Sequence, residues 1–227
     1  AVNDLRPDAV ARVADEVRAL GRRVLAVPAD VAAVPEIERM IARVAEGLGR
    51  IDVLVNNAGL IRPTAFGHVS ERDWDETFAV NARGLFFCMQ AAAPVMIGQG
   101  SGAIVNVSSI AGRGSASLSP PYAASKTAVI SLTQQAARAL ARHGVRVNAI
   151  CPGVVDTEFN WRLDDLIGVR QQGLAAGDFM KQRATTVPLG RLAEPDDIAR
   201  VILFLVSPAG SYMTGQAVTV DGGYLMY

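Results

Sequence analysis

The segment "RIDVLVNNAG" (50–59) decides the fold. Its apolar residues run together instead of alternating, and the run stops at Asn-Asn-Ala-Gly. A strand with one wet face alternates apolar and polar residues, whereas a strand covered by helices on both faces does not. A short continuous run therefore reads as an interior strand of a parallel sheet. Four further segments share the design: "RRVLAVPAD" (22–30), "GAIVNVSS" (102–109), "VRVNAICPG" (145–153) and "GQAVTVDGG" (215–223). Between these runs the pattern turns helical. "PDAVARVADEVRALG" (7–21) has a proline in its first turn and stops at Gly21, and "PEIERMIARVAEGLG" (35–49) repeats the plan. Longer helical stretches cover 70–96, 120–144 and 194–207. Strand and helix in alternation predict an α/β, doubly wound, mostly parallel sheet. No linker or repeat interrupts residues 1–227, which read as a single domain.

Composition narrows the function. The chain has 227 residues, is 50% hydrophobic and carries 22 basic against 22 acidic residues, so its formal net charge is +0. That balance gives no support for a nucleic-acid partner. No run of eighteen uninterrupted apolar residues marks a membrane span, and the opening "AVNDLRPDAV" lacks a secretory apolar stretch. Two cysteines, Cys88 and Cys151, suit a reduced cytoplasmic protein without a disulfide framework. His68 and His143 are isolated, so no metal site is expected.

Ligands of doubly wound sheets bind beyond the carboxyl ends of the strands. Asp30 and Val31, then Asn57, Ala58 and Gly59, then Ser109, then Pro152 and Gly153 all fall there. Each alone is an ordinary turn former; four such groups on one edge point to a site. A second signal lies in "SPPYAASKTA" (119–128), which contains one of only two lysines in the chain. Tyr122 and Lys126 are four apart and share a helix face. A tyrosine titrates near pH ~10, and a fixed ammonium together with a helix N-terminus is expected to lower that value. An exposed i, i+4 pair without function is the plain alternative. Arg lacks the compact ammonium, which accounts for a lysine in a chain that otherwise uses arginine almost everywhere.

The ordered set "NNAG" (56–59), Asn81, Ser109, Tyr122, Lys126 and "PG" (152–153) resembles the short-chain dehydrogenase/reductase family, from about Asp4 to Gly223. The resemblance implies a Rossmann-like fold and hydride transfer between a nicotinamide and a carbonyl or secondary alcohol. It implies Tyr122 as general acid/base and Ser109 as its partner at the substrate oxygen. Lys126 would tune the tyrosine and hold ribose hydroxyls, and Asn81 would anchor a proton-relay water. On the cofactor side it implies Asp4 at the adenosine ribose, favouring NAD over NADP, with Arg6 able to soften that choice. Asp30 and Val31 would flank the adenine. Asn57, Ala58 and Gly59 would pass under the cofactor, and Val155 and Thr157 would hold the carboxamide.

The family's glycine-rich phosphate loop and the strand before it have no counterpart among the 227 residues. About thirty preceding residues are therefore expected in the working protein, by the need to seat a pyrophosphate on a helix N-terminus. Residues 158–190 read as a substrate lid, and Arg113, Ser115, Asn160 and Arg162 as groups that could meet a polar substrate. A small polyol, sugar or hydroxyketone fits that lining. A 3-oxoacyl thioester reduced with NADPH is the alternative, and a non-catalytic binding or regulatory member is a third. The resemblance also implies a homo-oligomer, dimer or tetramer, built on the two long helices (70–96 and 120–144) and the C-terminal strand, and the apolar "ILFLV" and "YLMY" are compatible with a buried interface.

Overall fold

A computed structural model of the chain describes residues 1–114 and 118–226. Its centre is a four-stranded parallel sheet in the order β1 (Val53–Asn56), β2 (Gly102–Val107), β3 (Val145–Pro152), β4 (Ala217–Val220). Register is continuous from Val53 opposite Ala103 to Pro152 opposite Val220. In β2 and β3 alternate residues enter two separate cores, which is why these strands carry no polar face, whereas β1, at the sheet edge, leaves Val53 and Val55 exposed. Ile104, Val145 and Val147 join Ile37, Met40, Met89, Val129 and Ala137 on one side. Val105 and Ile150 join Ile198 and Leu205 on the other. The first core is roofed by α2 (Val34–Leu48), α4 (Leu85–Gln99) and α5 (Pro120–Leu140), the second by α8 (Pro195–Val206). Each fully buried Val or Ile contributes about 1.5–3 kcal/mol, so these two layers dominate the stability of the sheet.

Polar residues within β1 and β2 are paired with one another. Asn56 donates to Asn106 Oδ1 (2.9 Å), and Asn106 donates to Thr133 Oγ1 (2.9 Å) on α5. This ladder satisfies buried amides and locks α5 across the sheet.

The expected strand at 22–30 does not form. Its residues make one parallel bridge, Ala26 to Val2, with Val2 N–H on the Leu25 carbonyl (2.9 Å) and Val27 N–H on the Val2 carbonyl (3.0 Å). Pro28 has no N–H to extend the ladder, and the facing segment passes into α1 (Pro7–Ala19). The other strands are shorter than their apolar runs, because Asn-Asn-Ala-Gly and Asp-Gly-Gly belong to turns.

The predicted helix at 70–96 runs on to Gln99 as α3 (Glu71–Phe78), a π-helical segment (Ala79–Gly84) and α4. Ser70 caps it, accepting from Asp73 N–H (3.1 Å). The whole 29-residue run, 71–99, is long and apolar enough to cross a bilayer by length and composition, a feature that counting uninterrupted apolar residues passes over. Here it packs against α2, α5 and the strands β1 and β2. Beyond β3 the chain is helical: α6 (Glu158–Leu163), a second π segment (Asp164–Val169) and α7 (Asp178–Thr185).

Candidate active site

The carboxyl ends of β1, β2 and β3 converge on α5. Ser109 follows β2 in extended backbone, with its Oγ accepting from Ala111 N–H (3.1 Å). Its hydroxyl acts on that of Tyr122, in the first turn of α5, and favours the phenolate. One turn on, Lys126 is 3% exposed, and its ammonium donates to the Val107 carbonyl (2.8 Å). Ser108 Oγ in turn donates to the Lys126 carbonyl (2.7 Å). These bonds pin α5 to the end of β2.

Asn81 is fully buried in the first π segment. Its Oδ1 accepts from Leu60 N–H (2.7 Å), while its Nδ2 donates to the Leu60 carbonyl (2.8 Å) and to Ser125 Oγ (3.0 Å). Both amide donors are thus spent on protein. Any water anchored here meets the remaining Oδ1 lone pair or the backbone. A π segment widens one helical turn, and that turn carries Asn81 toward Leu60. Gly84 ends the segment because a Cβ there would stand 2.3 Å from the Val31 carbonyl oxygen. Val31 is in this way tied to the helix that holds Asn81.

Charge behaves differently from the sequence expectation. Burial raises the Tyr122 hydroxyl above its ordinary value, with the Ser109 hydrogen bond and the Arg183 guanidinium pulling the other way. Burial also lowers Lys126 to about 8. The Lys126 Nζ stands 5.7 Å from the Tyr122 ring centroid, and its ammonium is turned to Val107. The cation that acts on the Tyr122 hydroxyl is Arg183 on α7, which sequence reasoning missed: "DFMKQRAT" carries no spacing that singles it out. Phe159 was missed too. Its ring is 6.4 Å from that of Tyr122.

Asn57, Ala58 and Gly59 are exposed, directly after β1. A Cβ on Gly59 would lie 3.5 Å from Lys126 Nζ and 3.7 Å from Asn81 Oδ1, so the glycine brings bare backbone against both. Asp4 and Asp30 are neighbours through the Ala29 N–H bond to the Asp4 carbonyl (3.3 Å). The Asp4 carboxylate accepts from Arg6 N–H (2.8 Å) and faces its guanidinium at 3.6 Å. Asp30 accepts from Ala32 N–H (2.8 Å). Pro152 and Gly153 end β3, Val155 bridges to Ala193, and Thr157 starts α6. Of the groups expected to meet substrate, Arg113 donates instead to the Ala217 carbonyl, and Arg162 pairs with Glu158 at the surface (2.6 Å). Asn160 donates to the Val155 carbonyl (2.8 Å). Ser115 lies outside the described residues. Both cysteines are free and buried.

A nicotinamide dinucleotide fits this donor set. The Lys126 ammonium has three N–H groups and one protein acceptor among the described residues, and it adjoins the uncovered backbone of Gly59. Hydride exchange at a carbonyl carbon needs a proton route at its oxygen, and the hydroxyl pair on this fold supplies one. The class is that of Rossmann-type oxidoreductases acting on alcohol and carbonyl groups.

Comparison carries the class to a family. Residues 1–225 match the family described as Enoyl-(Acyl carrier protein) reductase, and the chain belongs to the short-chain dehydrogenase/reductases. It is 40% identical to a galactitol 2-dehydrogenase of Agrobacterium fabrum over 96% of this chain and 85% of that protein. It is 38% identical to a 3-oxoacyl-[acyl-carrier-protein] reductase of Staphylococcus aureus over 94% of this chain and 82% of the relative. The crystal structure of sorbitol-6-phosphate 2-dehydrogenase from Erwinia amylovora superposes with a TM-score of 0.93 at 28% identity, covering 100% of this chain and 90% of that one. The family uses a nicotinamide cofactor, NAD or NADP, on small-molecule substrates.

Proposed function

We propose that this chain interconverts a secondary alcohol and a ketone with NAD(H), on a small polar substrate such as a polyol, sugar or hydroxyketone. The observation that carries the reading is that the Ser109 hydroxyl acts on Tyr122 while Lys126 lies buried one turn on along α5. When bound, the nicotinamide supplies or accepts the hydride. Tyr122 gives a proton to the substrate oxygen or takes it, and Ser109 orients that oxygen. Lys126 holds ribose hydroxyls with its spare donors. Asn81 positions the 57–60 loop over Lys126 through its two bonds to Leu60. Residues 158–190 act as the lid within a single domain covering 1–227.

Asp4 favours NAD: a carboxylate accepts from a ribose diol and opposes a 2′-phosphate. Arg6 is held by Asp4 and is less available to a phosphate. Asp30 and Val31 flank the adenine, and Val155 and Thr157 hold the carboxamide. Free buried cysteines agree with a reducing cytoplasm, and the long helices agree with a dimer or tetramer. The second reading is reduction of a 3-oxoacyl thioester with NADPH, favoured by the similarity to the Staphylococcus aureus reductase.

Steady-state kinetics with NAD and NADP, on polyols and on 3-oxoacyl thioesters, separate the two. Turnover of polyols with NAD, and a cofactor preference that narrows or reverses in Asp4→Ser, are expected. A wild type that prefers NADPH with thioesters establishes the second reading instead.

A further inference from the structure

The segment 158–185 carries four cations, and three have carboxylate partners at the surface. Arg162 pairs with Glu158 (2.6 Å), Arg170 with Asp165 (2.6 Å) and Lys181 with Asp178 (3.0 Å). Arg183 has no carboxylate partner among the described residues. It is also the one that turns inward, half-buried, toward Tyr122 and Tyr224.

Two side chains hold its guanidinium, and a buried carboxylate anchors the helix that carries it. Nη1 donates to Asn160 Oδ1 (3.3 Å), and Asn160 is itself fixed by its bond to the Val155 carbonyl (2.8 Å). Phe179, one turn earlier on α7, lies under the guanidinium with its ring centroid 5.7 Å away. The start of α7 is anchored by Asp164, 3% exposed, which accepts from Gly177 N–H (2.7 Å) and Met180 N–H (3.2 Å). Asn160 neighbours Phe159, whose ring packs on Tyr122 (6.4 Å). The guanidinium is thereby placed on the side of Tyr122. A guanidinium offers five donors, and one of them meets a protein acceptor among the described residues. Holding an uncompensated cation away from water is costly; burial lowers the affinity of Arg183 for its proton, as that cost requires. The planar fork matches a carboxylate or phosphate with two parallel hydrogen bonds.

We infer that Arg183 binds an anionic group, a carboxylate or a phosphate, carried by the hydroxylated substrate whose reacting carbon faces Tyr122. The inference rests on the proposed role of Tyr122 in proton transfer. It narrows the substrate class from neutral polyols to sugar acids or sugar phosphates. Arg183 then sets specificity, and its pull on the Tyr122 hydroxyl is partly neutralised once the anion is bound.

The test is ligand binding to the intact chain, followed by tryptophan fluorescence; Trp161 sits against Gly177 at the head of α7. Three probes of matched length are titrated in the presence of NAD: a hexitol, its terminal phosphate ester and the corresponding aldonate. The wild type should bind at least one anion tenfold or more tighter than the hexitol. The anion that gains identifies the group. Arg183→Ala should weaken that anion by about a hundredfold, the scale of a lost charge-assisted pair, and Arg183→Lys should fall between. Should Arg183→Ala fold poorly, Arg183→Lys and Arg183→Gln carry the comparison. Equal binding of all three probes by the wild type overturns the inference. So does an anion preference that survives in the Arg183 variants, or a variant whose only change is a shifted pH profile. Turnover of Tyr122→Phe is measured alongside. A fully active Tyr122→Phe defeats the reading of the site, whereas an inactive one with an unaltered anion preference in Arg183→Ala defeats only the anion inference.

Discussion

Tyr122 is asked to exchange a proton from a buried position that raises its pKa. The Ser109 hydroxyl and the Arg183 guanidinium both favour the phenolate. General acid/base catalysis contributes typically about 10²–10⁴-fold. Tyr122→Phe should therefore lose at least a hundredfold in kcat while its affinity for the dinucleotide, read by fluorescence, changes little. Turnover within about tenfold of wild type would exclude the role. Lys126 titrates in the opposite sense. Its folded pKa, about 8, lies below the ordinary 10.5. The fold binds that proton less well than the unfolded chain does, so the linked stability is present above pH 10.5 and is lost as pH falls through about 8. The shift corresponds to about 3 kcal/mol. Wild type should gain on Lys126→Met by that order between pH 8 and 10.5 in urea titrations; a constant difference across the window would show that the lysine is not desolvated. The residue types and spacing of Ser109, Tyr122 and Lys126 were legible in the sequence. The sign of the tyrosine shift was not, because helix spacing places two side chains on a face without saying where the ammonium turns or how deep the ring sits.

At the scale of elements, the contact between the 110–113 turn and α5 governs the site. A Cβ on Gly112 would stand 2.6 Å from the Lys126 carbonyl oxygen and 2.9 Å from Ser108 Oγ. Helix backbone cannot give way as a flexible side chain would. Gly112→Ala should cost about 1–3 kcal/mol of stability, or roughly 2–4 °C of Tm per kcal/mol in a chain of this size. It should also lower kcat, because α5 carries Tyr122 and Lys126. An unchanged Tm and kcat would show that the turn yields freely and does not fix the helix. Strands β2 and β3 were legible because both faces of each are covered, which leaves a continuous apolar run; β1 kept the same run although it is an edge strand with Val53 (43%) and Val55 (39%) exposed on one face. The same signature misled at 22–30. Val27 is buried and Leu25 packs against the first core, yet burial is not pairing. A ladder also needs N–H groups in register, and Pro28 lacks one beside the single Val2–Ala26 bridge. The π segments at 79–84 and 164–169 left no mark in the hydrophobic pattern, since one widened turn shifts the helical period by a single residue.

For the whole molecule, charge and apolar surface decide how it meets other copies of itself. A formal net charge of +0 offers no long-range repulsion between chains. Large apolar side chains remain exposed on the 71–99 helix, one of the elements expected to form the interface, and on α8. Trp74 (43%) and Phe86 (38%) lie on the 71–99 helix, and Leu203 (66%) and Phe204 (43%) on α8. The run "ILFLV" (202–206) owes Leu205 to the core, with Ile202 and Val206 packed against it; Leu203 and Phe204 point away from it, which the apolar run alone did not distinguish. Single exposed apolar residues are ordinary on protein surfaces, whereas adjacent large ones on a regular helix mark an interaction face. The chain should therefore sediment at two or four times 24.0 kDa at micromolar concentration. Leu203→Asp, exposed in the single chain, should leave the fold intact and shift the distribution toward smaller species, because an unpaired carboxylate is costly to bury in an apolar contact. A sedimentation profile of 24.0 kDa for the wild type would refute the assembly. An unshifted oligomer in Leu203→Asp, with Phe86→Asp dissociating it, would move the interface from α8 to the 71–99 helix.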